Sequence, residues 1–308
     1  MSRPNHFLTM LDYDQATVYA LLEDAATMKK EVKAGIPHPH LKGKTLAMIF
    51  EKSSTRTRVS FEVGMLQLGG HALFLSSDDI QLGRGEPVSD TAKVLSGYVD
   101  GIMIRTFGHD RIEELSAHAS IPVINGLTNE HHPCQVLADL MTIQEQKGKL
   151  EGLTAAYIGD GFNNMAHSLI QGLSLMGMHV QVASPAGYEP DSDIMEEAKD
   201  VAEQHNGSLS FSYNPEQAVQ QADVIITDVW ASMGNEAEQE QRLSDFRDFQ
   251  VNEALTAHAK EDFIFLHCLP AHREEEVTAS IIDGPHSVVF EEAENRLHAQ
   301  KAILKKLL

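Results

Sequence analysis

Short apolar, β-branched runs alternate with helix-period segments along the whole chain, and this alternation constrains the fold more than any other feature. In the first half the runs are Leu46–Phe50, Ala72–Leu75, Gly101–Ile104 and Pro122–Ile124. In the second half they are Ala155–Ile158, His179–Ala183, Asp223–Thr227, Phe263–Leu266 and Val288–Phe290. Strands alternating with helices imply parallel sheets, because each parallel pair needs a long crossover that packs on a sheet face. The expected fold is α/β, with two domains, each a parallel sheet flanked by helices. At 308 residues the chain can build two cores. The helical pattern Pro133 to Gln146 runs into polar Lys147-Gly148-Lys149, which places a boundary near 148. The expected domains are therefore 1–147 and 148–290, with the helix before the boundary as a bridge. An amphipathic helix from Glu291 to Leu308 is expected to pack back onto the first domain.

Nearly every chemically rich cluster follows one of these strands. In open α/β sheets ligands bind beyond the carboxyl ends of the strands, so the clusters are expected to converge on a cleft between the domains. The richest is Ser53-Ser54-Thr55-Arg56-Thr57-Arg58, between the first strand and a helical segment. Hydroxyls, a guanidinium and the N–H groups of a helix start suit an anion with several oxygens, and phosphate fits best. No Gly-x-x-x-x-Gly-Lys-Ser/Thr is present here, so a nucleotide P-loop is excluded. A capped helix with solvated arginines is the alternative. Residues two apart on a helix diverge by roughly 200°, so Arg56 and Arg58 cannot both face one small ligand. Arg58, four residues before Glu62, has the spacing of a helix-face ion pair, which leaves Arg56 as the ligand candidate.

With 24 basic and 45 acidic residues the net charge is −21, which argues against nucleic acid or an anionic membrane as partner. An anionic substrate then needs a local basic pocket, and Arg56 and Arg105 are placed to supply one. No apolar run approaches the ~18 residues of a membrane span. The first residues carry neither a signal core nor an Arg-rich transit pattern. Two cysteines, Cys134 and Cys268, make no disulfide framework and point to a reducing cytoplasm.

Four further clusters remain. His131-His132-Pro133-Cys134-Gln135 reads as a helix start, with His132 and Gln135 near its positive end and Cys134 as a small buried residue. Gly159-Asp160-Gly161-Phe162-Asn163-Asn164 resembles a dinucleotide fingerprint whose third glycine is replaced by Asn164; the asparagines suit an amino acid, and a plain tight turn is the alternative. Asp228-Val229-Trp230-Ala231-Ser232-Met233-Gly234 leaves a strand with a carboxylate able to pair an ammonium group, then becomes a loop with the look of a lid. In His267-Cys268-Leu269-Pro270-Ala271-His272-Arg273, a thiol beside a histidine could be thiolate-like at a ligand site, or a buried inert cysteine. A zinc site from His131, His132, Cys134, His267, Cys268 and His272 lacks the closed spacings of structural zinc, so no metal is expected.

Taken together, Ser54-Thr55-Arg56-Thr57, Arg105, His132-Pro133-Cys134-Gln135, Asp228 to Gly234, His267-Cys268-Leu269-Pro270 and Glu294-Asn295-Arg296 resemble the carbamoyltransferase family, and its ornithine branch most closely. The match covers essentially the whole chain. The resemblance implies a carbamoyl-phosphate domain, an ornithine domain and a homotrimer, or a multiple of trimers, with active sites at subunit borders. It implies transfer of the carbamoyl group to the δ-amine of L-ornithine, giving citrulline and phosphate, within arginine biosynthesis and without cofactor or metal. Ser54, Thr55, Arg56 and Thr57 would hold phosphate, Arg296 would close that side, and Gln81 would reach a neighbouring site. Arg105, His132, Gln135 and the Thr55 hydroxyl would polarise the carbonyl oxygen. Asn164, Asp228, Ser232 and Met233 would hold the amino-acid end, while Cys268 and the Leu269 carbonyl bracket the δ-amine. An alkyl amine has a pKa near 10, so the site must take the small neutral fraction or assist proton loss. Putrescine or N-acetylornithine as acceptor is the alternative within the family. A dinucleotide-dependent oxidoreductase built on Gly159–Asn164 is the alternative outside it.

Overall fold

The computed structural model describes residues 6–76, 85–231 and 238–308, so the roles expected of Gln81, Ser232 and Met233 fall outside the described residues. The chain forms two compact units, one of Met1–Ala138 with Glu294–Leu308 and the other of Asp139–Ala293. Each has its own parallel sheet.

In the first unit the strands are β1 (Thr45–Phe50), β2 (His71–Ser76), β3 (Gly101–Arg105) and β4 (Val123–Leu127), in the order β2-β1-β3-β4. All pairings are parallel. Helices α1 (Gln15–Lys33), α2 (Thr55–Gln67), α3 (Val88–Ser96) and α4 (His109–His118) belong to this unit. Ala47 and Ile49 of β1 and Ile102 and Ile104 of β3 are fully buried against Ile112 and Leu115 of α4. Full burial of each Ile or Leu side chain here is worth about 1.5–3 kcal/mol, which is why these strands read as unbroken apolar runs. The residues of the C-terminal helix Val289–Leu307 that lie in this unit bond to it: Lys301 Nζ donates to Gln67 Oε1 at 2.9 Å and Lys305 Nζ to Asp24 Oδ1 at 2.7 Å.

The second unit holds β5 (Thr154–Ile158), β6 (His179–Ala183), β7 (Ser208–Ser212), β8 (Val224–Thr227) and β9 (Ile264–His267), in the order β7-β6-β5-β8-β9, again all parallel. Helix α5 (Pro133–Lys147) leads into it, and α6 (Asn164–Leu175) and α7 (Ser192–Gln204) follow β5 and β6. Its core gathers Ala156, Ile158, Ile225, Phe265, Phe246 and Val289.

Two strand assignments change. The sequence Ser208-Leu-Ser-Phe-Ser212 is a strand that the apolar-run criterion missed. It is an edge strand paired only to β6, and of its residues Leu209 alone is buried. Val288–Phe290, expected as a strand, instead leads into the C-terminal helix. The chain touches β9 briefly, with Phe265 N–H donating to His286 O at 2.8 Å and Val288 N–H to Phe265 O at 3.0 Å, then turns helical. Val288 and Val289 are both buried while Phe290 is 68% exposed, a pattern without period two. Glu291 and Glu292 in the first turn suit the positive end of a helix.

In each sheet the winding reverses once, between β1 and β3 and between β5 and β8. Those are the topological switch points, where an open α/β sheet leaves a crevice at its carboxyl edge. Among the described residues, no helix is long and apolar enough to cross a membrane.

Candidate active site

The switch point of the first sheet carries the residues expected from sequence to bind an anion. Phe50 and Arg105 are register partners at the ends of β1 and β3, and Glu51 N–H donates to Arg105 O at 2.8 Å. The chain then enters α2, whose N-cap is Ser54. Its Oγ accepts from Thr57 N–H at 3.2 Å and lies 3.1 Å from Thr57 Oγ1. Thr55 and Arg56 are exposed on the first turn, where backbone N–H groups lack intrahelical partners and the helix end is positive. Thr57 points inward and is fully buried. Arg58 does what its spacing implied: Nε bonds Glu62 Oε1 at 2.9 Å, and the guanidinium stacks 3.7 Å above the Phe74 ring.

Arg296 of the C-terminal helix closes the group. It is buried, with Nη1 donating to Gln135 Oε1 at 3.0 Å and Nη2 to Thr57 Oγ1 at 3.1 Å. Arg105 and His132 are buried as well. Burial holds the His132 imidazole well below its ordinary pKa, and the charges of Arg296, Arg105 and Arg56 lower it further. Three guanidinium groups therefore surround one neutral imidazole. In a chain of net charge −21 these residues make a local concentration of positive charge, the feature an anionic ligand would need. Cys134 lies beneath it, fully buried, its thiol donating to Asn125 O at 3.2 Å and pushed up to about 12 by burial.

A pH dependence follows from His132. The unfolded chain takes up a proton there as pH falls below about 6.5, whereas the folded chain stays neutral until its lower folded value. Stability from this group is thus fully present above pH ~6.5 and declines as pH falls through that window. We expect the His132 ring resonances to show no inflection near pH 6.5 in NMR. An inflection there would mean that neither burial nor the arginines hold the ring neutral.

The second unit brings a different set together. Thr227 pairs with Ile158 on one side and His267 on the other, so Asp228 and Cys268 leave neighbouring strands side by side. Cys268 Sγ lies 3.2 Å from Asp228 Oδ1, which also accepts Val229 N–H at 2.8 Å. Burial raises the pKa of Asp228 above the ordinary carboxylate value, and these hydrogen bonds offset part of the rise. Cys268 is pushed well above its ordinary value by burial and then by the Asp228 and Glu292 carboxylates. The thiolate considered from sequence is thus disfavoured in the unliganded chain: Cys268 is a thiol donating to Asp228. His267 does not activate it. Its Nδ1 accepts Leu269 N–H at 3.0 Å, so Nε2 carries the proton and bonds Glu276 Oε1 at 3.0 Å.

Removing the Asp228 charge should therefore make the thiol more acidic. We expect Asp228→Asn to speed alkylation of Cys268, and Cys134 to react last in either protein. Mass-spectrometric labelling rates decide this, and an unchanged or slower Cys268 rate would remove Asp228 as the cause.

Asn164 opens α6, half-buried, and Asn163 caps that helix by accepting Ala166 N–H at 2.8 Å. Of the glycines before it, Gly159 takes a φ of +147°, which L side chains rarely adopt, and Gly161 serves packing. A Cβ on Gly161 would stand 2.7 Å from Pro190 Cδ, Ser184 Oγ and Tyr188 O, so protein already fills the space a pyrophosphate would use. Trp230 is buried and stacks on Phe246.

Sequence reasoning missed the anchors of this cluster. Arg242 is buried, with Nη1 bonding Asp160 Oδ2 at 2.6 Å and Trp230 O at 2.8 Å. Glu292 accepts His267 N–H at 2.9 Å. No local motif marks either residue. The acidic start of the C-terminal helix was the available signal for Glu292.

A family model described as the aspartate/ornithine carbamoyltransferase carbamoyl-P binding domain matches residues 5–145, and its companion Asp/Orn binding domain matches residues 151–307. The chain belongs to the aspartate/ornithine carbamoyltransferase family. Among its similar relatives, the ornithine carbamoyltransferase of Bacillus subtilis is 61% identical over 98% of this chain and 93% of its own length. That of Oceanobacillus iheyensis is 60% identical over 98% and 94%. A solved ornithine carbamoyltransferase structure from Pyrococcus furiosus superposes with a TM-score of 0.95 at 54% identity, covering 99% of this chain and 97% of that one. The carbamoyltransferase matches thus span both sheets and both clusters of site residues.

Proposed function

We propose that this chain transfers the carbamoyl group of carbamoyl phosphate to the δ-amine of L-ornithine, releasing L-citrulline and phosphate. The observation that carries the choice of amine is the high identity, over nearly the whole chain, to relatives named ornithine carbamoyltransferase. The site chemistry supports it. The α2 N-terminus with Ser54, Thr55, Arg56 and Thr57 would receive the phosphate, and Arg296 would neutralise its remaining charge. Arg105, neutral His132, Gln135 and the Thr55 hydroxyl would donate to the carbonyl oxygen, where negative charge grows as nitrogen attacks. A neutral imidazole can donate without bringing a proton that the leaving phosphate would take. Asn164 and Asp228 would hold the amino-acid end, with Ser232 and Met233 completing it, and Cys268 and the Leu269 carbonyl would face the δ-amine. The departing phosphate can accept the amine's proton.

In the same reading residues 1–147 with 291–308 form the carbamoyl-phosphate domain and 148–290 the ornithine domain. Assays with carbamoyl phosphate and, in turn, ornithine, putrescine, N-acetylornithine and aspartate test the proposal. Turnover with ornithine far above the others is expected, and preference for another amine would overturn it.

A cytoplasmic place in arginine synthesis accords with two free cysteines, and a homotrimer with the edge of the first sheet. Edge strand β2 exposes Leu73 and Phe74, and α2 beside it exposes Val59 and Leu66. A hydrophobic edge of this kind calls for a partner. Three chains per particle are expected by light scattering, with Gln81 contributing to a neighbouring site. Leu73→Glu with Phe74→Glu should shift the mass toward monomer; a wild-type monomer, or a trimer indifferent to both changes, would refute the assignment.

A further inference from the structure

The turn beyond Cys268 carries a side-chain cluster that the proposed transfer does not use. His272 Nδ1 lies 3.9 Å from Glu275 Oε2 and 3.8 Å from Glu276 Oε2, and one ligand atom from each residue lies within 4.8 Å of the others. The turn itself sets this arrangement: Glu275 N–H donates to His272 O at 3.0 Å, and Glu274 N–H to Val277 O at 2.8 Å.

Glu276 is the unusual member. Its side chain is 0% exposed, yet its two oxygens differ. Oε1 is saturated, accepting from His267 Nε2 at 3.0 Å and from His272 N–H at 2.6 Å. Oε2 is equally buried, accepts no hydrogen bond, and is directed at the His272 ring. A buried acceptor left without a donor costs about 1–3 kcal/mol, and more when charged. The 3.8 Å gap to Nδ1 is too long for a hydrogen bond to repair it. A cation between the two atoms would satisfy both.

We propose that His272, Glu275 and Glu276 hold a divalent transition-metal ion, zinc fitting best, with water completing the coordination. One imidazole nitrogen and two carboxylates form a borderline donor set, whereas calcium and magnesium favour oxygen alone. Zinc–ligand bonds of about 2.0–2.2 Å place tetrahedral neighbours about 3.3–3.5 Å apart. The two separations from His272 Nδ1, 3.9 and 3.8 Å, need to close by only a few tenths of an ångström, and the carboxylates start within 4.8 Å of one another. The His272 side chain is 50% exposed and that of Glu275 34%, so both can swing inward and the ion can enter from water. Of the zinc arrangement weighed from sequence (His131, His132, Cys134, His267, Cys268 and His272), this group shares only His272. It also differs from the Asp228–His267–Cys268 group, which belongs to the amino-acid half-site and offers a thiol. The two groups share one link: Glu276 fixes the His267 ring, and that ring fixes Leu269 N–H.

The test uses the full chain, stripped with EDTA and titrated with Zn²⁺ against a chromophoric chelator, then with Co²⁺ for its electronic spectrum. Wild type and Cys268→Ser should each bind about one ion per chain with similar affinity. His272→Ala, at an exposed position, and Glu275→Gln, at a half-buried one, should each weaken binding at least tenfold. The Co²⁺ spectrum should lack a sulfur-to-cobalt band. Absence of Zn²⁺ binding, equal affinity in both variants, or loss of the ion in Cys268→Ser would each overturn the site.

Discussion

Replacing Arg56 with alanine should weaken carbamoyl-phosphate binding by about ten- to a hundredfold while leaving the fold intact. The range corresponds to a charge-assisted contact of about 1.5–3 kcal/mol. Arg56 is exposed on the first turn of α2, so truncation opens no cavity, and its charge already acts on buried His132. The same mutation removes the smallest of the three charge effects that add to burial in lowering that imidazole's pKa, so the value should rise only slightly. Arg58→Ala is the matched control. It loses an ion pair and a ring contact of α2, so thermal stability should fall slightly while ligand affinity stays unchanged. Calorimetry with carbamoyl phosphate on both variants decides the assignment. Equal affinity in wild type and Arg56→Ala would remove Arg56 from the phosphate site.

The division between the two arginines was legible in the sequence because helical geometry alone separates residues two apart. The strand-end clusters were legible for a related reason. In a parallel sheet, a position just after a strand is also a place on the carboxyl edge, so chain order becomes location. Pairings across long separations were not legible. Thr57 and Arg296 bond across 239 positions, and no pattern near either residue names the other. Strand Ser208–Ser212 escaped notice because an edge strand with one neighbour does not need the two-sided apolar run that marks central strands. Val288–Phe290 misled for the opposite reason: Val289 is apolar to fill the second core while the backbone turns helical. Cys268 shows the limit most sharply. Sequence adjacency suggested that His267 activates the thiol, but adjacent residues leave a strand on opposite faces. The ring faces Glu276 and the sulfur faces Asp228, an acid that raises its pKa.

That contact underlies the second large effect. Asp228→Asn should lower kcat/KM for ornithine by about ten- to a hundredfold, with carbamoyl-phosphate affinity unchanged, because a charge-assisted contact of about 1.5–3 kcal/mol to the substrate ammonium is lost. Burial raises the pKa of Asp228 in the free chain. A bound ammonium stabilises the charged form and pulls that pKa back down. Ornithine affinity should therefore fall on acidification at a higher pH than an ordinary carboxylate would give, and the Asn variant should lack that decline. Cys268→Ser separates charge from position. Serine can still donate to Asp228 but cannot ionise in this pH range, so if the sulfur acts only as a donor the loss should be smaller than for Asp228→Asn. A larger loss in Cys268→Ser would mean that the incoming ammonium draws the thiol into its charged form. Ornithine binding measured against pH in wild type and both variants separates the cases. A pH profile in Asp228→Asn identical to wild type would remove Asp228 from the amino-acid site altogether.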